Sequence, residues 1–450
     1  MGSMAVGNVM GQATSERRRA RVLQLAYACS PWRGSEPGVG WNRAVEAAKY
    51  SDVWVICEGV EFQHQVLGHL EAIGEMEGLH FQFVHKSRLE QILSKVPGAY
   101  YLAYRLWHRR AFQVAKSLHK EVNFDLVHQV NLCGYREPGQ LGQMNLPFIW
   151  GPIGGTQNHP WVAIGQAGPR GGLQETVRSI ANSLQLRFSR RVRRAAESAD
   201  LLLVANSTNQ ADFERLLGKS VPVLCETGSP AVPANALRNR PRSASADQRL
   251  RLLWAGNLHA FKALPLLLRA IAMLPESVSV QLRIVGDGPQ LQRWQRIADR
   301  WGVSNRIEWI GRVRDLEMQT HYTWSDVFVF TSLRDTSGNV IFEALASGVP
   351  VLAADHQGVG DIVTDDCGVK ISVGTPLEMS KQYCDAIVAL ATDQTRLGQL
   401  SSGALRRAAS YAWPEQGQRM RNYYRQLLGD TFVWECRADS EQLAATEQTV

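Results

Sequence analysis

The chain has 450 residues, 45% hydrophobic and 20% charged, with a net charge of +7 and a pI near 9.1. That length exceeds one ordinary core, so two or three domains are expected, and no apolar run is long enough to span a membrane. The basic balance admits nucleic acid, an anionic surface or a phosphorylated substrate as partner, but no RNA- or DNA-binding pattern accompanies it, so nucleic acid is disfavoured.

Residues 1–20 are small and polar, then basic, and read as a disordered leader without a secretory signal. Strand-like runs follow at 21–28, 52–59, 80–86, 125–130, 147–152 and 201–206, alternating with amphipathic helical stretches. Such alternation predicts a parallel sheet covered by helices on both faces. The segment 231–248, rich in Pro, Ala, Ser and Arg, reads as a linker between a first domain (21–230) and a second (249–410). The second domain repeats the pattern at 250–257, 279–288, 307–311, 327–332 and 349–355. A last helix is expected within 411–435, crossing back to the first domain, and 436–450 as a frayed tail. The seven cysteines stand singly, with no C-x-x-C pair. They point to reduced thiols in a cytoplasmic protein and give zinc no case.

Candidate chemistry begins after the first strand. Gly34, Gly38 and Gly40, in "RGSEPGVGW", are expected to form a turn at the carboxyl edge of the sheet, either a phosphate-facing loop or merely a tight turn. His128 ends a strand on the same edge and is either a core residue or a cleft-facing catalyst. A Gly-Gly turn in "WGPIGG" is turn chemistry or part of an acceptor pocket. The segment 186–194, with Ile180 and Leu184 upstream, sets Leu186 and Phe188 beside arginines 187, 190, 191, 193 and 194. It is weighed as a face for an anionic membrane, with the apolar side packed in the core as the favoured reading.

The second domain is richer. Asn257 and Lys262 follow its first strand, and an ammonium there suits a diphosphate. Gly286 and Gly288 permit close backbone approach to a flat ligand. In "DTSGNVIFEALASGVPVL" the apolar helix from Asn339 puts Glu343 on one stripe with Asn339, Ala346 and Ser347. A carboxylate there needs a partner. The unpaired N–H groups of Gly338, Asn339 and Val340 suit phosphate oxygens, Glu343 suits a ribose diol, and Asp335 suits sugar hydroxyls.

These residues resemble the E-x7-E region of family 4 (group 1) retaining glycosyltransferases, whose fold is GT-B: two Rossmann-like domains facing a cleft. "GNLHAFK", "IVGDGP", "IEWIGRV" and "SDVFVFTSLRD" fall in that family's order, and the likeness is specific from about 250 to 365. The resemblance implies a retaining, metal-independent sugar transfer from a nucleotide-diphosphate sugar, with no cofactor. The acceptor would be a sugar or lipid-linked intermediate of polysaccharide or glycoconjugate synthesis. Glu343 would bind the ribose, Asp335 the reacting face and Lys262 the diphosphate. Gly338, Asn339 and Val340 would supply backbone donors, while Gly34 and Gly38 would close over the phosphates. His128 would touch sugar or acceptor, and Gly286, Gly288 and Arg312 would border the base. Two positions depart from the pattern: Asn257 stands where an Arg is usual, with Arg334 as a candidate replacement, and Asp335 stands for Glu. Two rivals follow, a sugar-nucleotide epimerase on the same fold and a degenerate, non-catalytic binding subunit. A cytoplasmic enzyme, alternatively peripheral at the inner face of the membrane, is expected.

Overall fold

The computed structural model describes residues 17–96, 98–232 and 249–437. Most of the expected leader, linker and tail therefore lies outside the described residues. Two six-stranded sheets carry the chain, both parallel throughout. The first has the order β3-β2-β1-β4-β5-β6 and the second β12-β11-β10-β7-β8-β9.

The strands of the first sheet are β1 (Arg21–Ala26), β2 (Asp52–Glu58), β3 (Leu79–Val84), β4 (Leu126–Asn131), β5 (Phe148–Ile153) and β6 (Leu201–Val204). Those of the second are β7 (Leu250–Ala255), β8 (Val280–Val285), β9 (Ile307–Gly311), β10 (Val327–Phe330), β11 (Val351–Ala354) and β12 (Gly368–Ile371). Every expected run is a strand. β12 is the one that hydrophobic patterning missed: only four residues long, it begins on Gly and carries a Lys.

Each sheet separates two apolar clusters, as burial on both faces of a parallel sheet requires. In the second domain, Leu252, Trp254, Ile284 and Val329 pack on one side, and Leu253, Val285, Phe328 and Phe330 on the other. The alternation along each strand is what puts neighbours in opposite clusters.

The last helix, Trp413–Leu428, lies against the first domain. Its Met420 and Tyr424 join the cluster of Val22 and Ala26, and the Tyr424 hydroxyl accepts from Gln24 Nε2 at 3.0 Å. Beyond it the chain stays anchored to Arg437, whose buried guanidinium donates to the Ser51 carbonyl at 2.8 Å and pairs with Asp52. Residues 436 and 437 thus do not belong to a frayed tail. Among the described residues no helix is long and apolar enough to cross a membrane.

Both sheets change direction of winding at an internal pair, β1/β4 in the first and β7/β10 in the second. Open parallel sheets bind ligands outside the carboxyl ends of their strands at such a switch point. Here the two switch points face each other.

Candidate active site

The loops leaving β1, β4, β7 and β10 converge on a cavity of about 1140 Å³. Its first-domain wall includes Gly34, Ser35 and Glu36 after β1 and Cys133 after β4. The second-domain wall includes Asn257 and Lys262 after β7, Gly286 after β8, and residues 335–340 after β10, with Glu343.

The second-domain wall is built locally. Gly338, at a φ of +83°, turns the chain into the helix Asn339–Ala346. Within it Ile341 donates back to the Gly338 carbonyl at 2.9 Å, whereas the N–H groups of Asn339 and Val340 precede that ladder at the cavity wall. Ile341, Phe342, Ala344 and Leu345 are buried, and Asn339, Glu343, Ala346 and Ser347 line the cavity. The stripe of small and polar positions is thus the helix's open face, and Glu343 lies on that stripe. Its Oε2 accepts from the Tyr322 hydroxyl at 2.8 Å, which fixes the carboxylate against the wall.

Lys262 Nζ donates to Asp335 Oδ2 at 2.5 Å, so the residue expected at the diphosphate and the one expected at the reacting face form one ion pair. Both lie less than a quarter exposed. The loops carrying them are tied together: Thr331 Oγ1 donates to the Lys262 carbonyl at 2.6 Å, and Leu333 N–H to the Phe261 carbonyl at 2.9 Å. The ammonium also sits 5.0 Å from the centre of the Phe330 ring, a cation–π contact. Gly286 approaches the Gly256 carbonyl so closely that a Cβ would stand 2.0 Å from its oxygen, and its φ is +132°. Only glycine fits there.

The first-domain wall departs from expectation. Gly38 and Gly40 are not in a turn; they lie inside the helix Ser35–Ala48, with Gly34 at its N-cap. Gly40 is required because a Cβ would meet the Ala28 carbonyl oxygen at 2.1 Å. Gly38 lines an adjoining cavity of about 630 Å³, which shares Gly34, Asn339 and Glu343 with the first. The Gly154–Gly155 turn packs under Thr336 of the second domain and does not line the larger cavity.

His128 is a correction. It is fully buried within β4, its Nδ1 2.7 Å from the Tyr424 hydroxyl and its Nε2 2.6 Å from the Gly151 carbonyl. Burial holds its pKa down to about 4, so the ring is neutral and structural. Arg334 does not replace the missing arginine either. It pairs with Glu175 of the first domain at 2.8 Å and stacks over Phe261. Gly288 packs on the Leu258 backbone and is absent from the cavity wall, whereas Arg312 lines it.

Two carboxylates escaped the sequence reading. Glu36 accepts from the Cys133 N–H at 2.9 and 3.2 Å, and Glu226 accepts from the Ser337 hydroxyl at 2.5 Å. Both line the cavity. Burial, reinforced by Glu226, raises the Glu36 pKa to about 7 against the opposing Cys133 amide. Burial also raises that of Glu226. An acidic residue in the first helical turn was the available signal for Glu36. Glu226 had none, because its partner is 111 residues away. Among the described residues no cluster of three or more His, Cys, Asp or Glu side chains could hold a metal ion.

Residues 249–393 match the family model of the group 1 glycosyl transferases. That segment, about a third of the chain, is similar to a group 1 glycosyl transferase domain. Among curated relatives, it is 28% identical over 245 residues to a D-inositol 3-phosphate glycosyltransferase of Xylanimonas cellulosilytica, covering 51% of this chain and 57% of that one. A Streptomyces bingchenggensis protein of the same description is 30% identical over 247 residues, covering 50% and 53%. The match thus spans little more than half the length of these relatives. In fold, the chain is similar to Anabaena HepE in complex with UDP-glucose, with a TM-score of 0.56, 18% identity and coverage of 90% and 100%. It is likewise similar to sucrose-phosphate synthase of Thermosynechococcus elongatus, with a TM-score of 0.61, 18% identity and coverage of 91% and 99%. The two facing parallel sheets are the GT-B fold. The family and the relatives named are transferases, which gives the epimerase rival no support.

Proposed function

We propose that the protein is a glycosyltransferase that moves a sugar, with retention of configuration, from a nucleotide-diphosphate sugar to an acceptor. The observation that carries this is the second-domain wall. A helix N-terminus, a fixed ribose-type carboxylate (Glu343) and the Lys262–Asp335 pair line one cavity beside the close-packed turn at Gly286. Phosphate oxygens fit the N–H groups of Asn339 and Val340, where the helix dipole is positive. A ribose diol fits Glu343, and Gly286 and Arg312 flank the space left for a base. Asn257, at the cavity's edge, offers an amide donor to the diphosphate.

As the sugar–phosphate bond breaks, negative charge grows on the leaving diphosphate. Lys262 and the helix amides stabilise that charge, a role that needs neither a divalent metal nor another cofactor. Asp335, held by Lys262, offers its carboxylate to the hydroxyl groups of the donor sugar. Glu36 and Glu226 face the same space from the acceptor side and can bind hydroxyl groups. The acceptor is a sugar or lipid-linked intermediate of glycoconjugate or polysaccharide synthesis, and the setting is the cytoplasm.

Contact with the inner face of a membrane belongs to the same proposal. Ile180, Leu184 and Phe188 are each half or more exposed, rather than packed in the core, while Leu186 packs inward. Arg187 lies on the same helix, and arginines 190, 191, 193 and 194 on the next one, Arg190–Ser198, a composition that suits a surface lying on anionic lipid.

The test is a panel of nucleotide sugars, incubated with and without acceptor lipid extract and with EDTA. Acceptor-dependent nucleotide release that survives EDTA is the expected result. Acceptor-independent conversion of the donor, or binding without turnover, contradicts transfer, and loss in EDTA with rescue by magnesium contradicts metal independence.

A further inference from the structure

A second polar cavity, of about 120 Å³, lies in the first domain away from the residues just described. It is bounded by Arg105, His108 and Arg109 of the helix Tyr100–Val122, by the loop residues Glu137 and Gly139, and by Arg191 of the helix Arg190–Ser198.

The charges do not balance. Glu137 is buried, and two guanidinium groups saturate its oxygens: Arg105 Nη2 at 2.9 Å, and Arg191 Nη1 and Nη2 at 3.0 and 2.6 Å. The carboxylate thus serves as a clamp, holding two arginines side by side while Arg105 Nη1 and Arg191 Nε remain for other acceptors. Arg109 adds a third guanidinium, and it makes no ion pair with any described residue. Three cations against one anion leave the cavity with two positive charges in excess.

His108 supplies the independent sign of a ligand. It is 2% exposed, it lines the cavity, and neither ring nitrogen has a hydrogen-bond partner among the described residues. A buried imidazole left without partners is costly unless something polar enters beside it. A Cβ at Gly139, whose φ is +69°, would stand 2.8 Å from His108 Nδ1 and 2.4 Å from Gln129 Oε1, so a glycine is needed to keep that side of the ring clear.

We propose that this cavity is a binding site for a phosphate group, distinct from the nucleotide cleft. Arginine forks and a neutral imidazole N–H are donors only toward the guest, and their geometry matches several oxygens on one centre. Its loop also reaches the main cavity, since Cys133 lines that cavity six residues before Gly139. The phosphate comes either from a soluble phosphorylated sugar or from a lipid headgroup. The latter fits the exposed Phe188, three residues before Arg191.

The test uses the full chain and its melting temperature at constant ionic strength, titrated with inorganic phosphate, with glucose 1-phosphate and with phosphatidylglycerol vesicles. Arg109→Ala, on an exposed helix position, is compared with Lys262→Ala, which perturbs the nucleotide cleft instead. The expected result is stabilisation whose half-saturating concentration rises about tenfold in Arg109→Ala, the loss of one charged hydrogen bond, and stays unchanged in Lys262→Ala. A response to the soluble phosphates marks a soluble ligand, and one confined to vesicles marks a headgroup. An Arg109→Ala protein that responds like the unaltered chain, a response lost in Lys262→Ala, or no response to any of the three ligands overturns the proposal.

Discussion

The two walls of the cleft teach different lessons. On the second-domain wall, one loop and one helix hold Asp335, Gly338, Asn339 and Glu343 within nine residues, and Lys262 joins them through a single ion pair. On the first-domain wall, the side chains that face the cavity are set by partners far away in the chain. Glu36 is held by Cys133, 97 residues on, and Glu226 by Ser337 across the domain boundary. His128 makes the contrast sharper: like Glu343 it is a polar residue in an apolar run, but its strand faces it toward Tyr424 instead of the cavity. Chemistry concentrated in one helix turn is visible locally; chemistry assembled from distant segments is not.

The largest expected effect is on the second-domain wall. Lys262→Ala should lower the transfer rate about a hundredfold or more, the usual loss for one group that stabilises a leaving charge, with the melting temperature nearly unchanged. Initial rates on purified folded protein measure this. Retention of activity within a few-fold would move the diphosphate role to another residue.

On the other side, His128→Phe should act on stability. It removes the ring's contacts with the Tyr424 hydroxyl and the Gly151 carbonyl, at a cost of about 1–3 kcal/mol for buried groups left unpaired. Urea unfolding should show that loss, while the rate per folded molecule stays as it was. A selective loss of rate with stability intact would return His128 to the site and erase the contrast between the walls.

Glu36 gives the smallest effect. Because burial raises its folded pKa to about 7, above the ordinary carboxylate range, its contribution to stability is complete below the unfolded value and is lost as pH rises through the folded one. Its partial exposure limits this to about 2 kcal/mol. Glu36→Gln cannot ionise, so its melting temperature should vary less between pH 4.5 and 7.5 than that of the unaltered chain. Parallel pH profiles would show that Glu36 is not the group held protonated by its surroundings.

Much of the architecture was legible because parallel strands buried on both faces are near-continuous apolar runs, and eleven such runs stand in the chain. β12 was not, since four residues containing Gly and Lys carry no hydrophobic pattern and pair only because β11 offers an edge. The Glu343 stripe was legible because helical periodicity alone decides which residues share a face. The glycines at 38 and 40 misled, because glycine signals close approach as readily as a turn: Gly40 sits under the Ala28 carbonyl inside a helix. Arg334 could not be excluded as a phosphate ligand without knowing that Glu175, 159 residues earlier, claims it.

The central claim is that the helix Asn339–Ala346 and its Glu343 hold the nucleotide part of the donor. A calorimetric titration of the unaltered chain and of folded Glu343→Gln, with the nucleoside diphosphate that a donor panel selects, tests it most directly. The amide places a donor where ribose hydroxyls need an acceptor, and the loss of a charged hydrogen bond costs about 1.5–3 kcal/mol, so affinity should fall more than tenfold. Equal affinity in the two proteins would contradict the assignment.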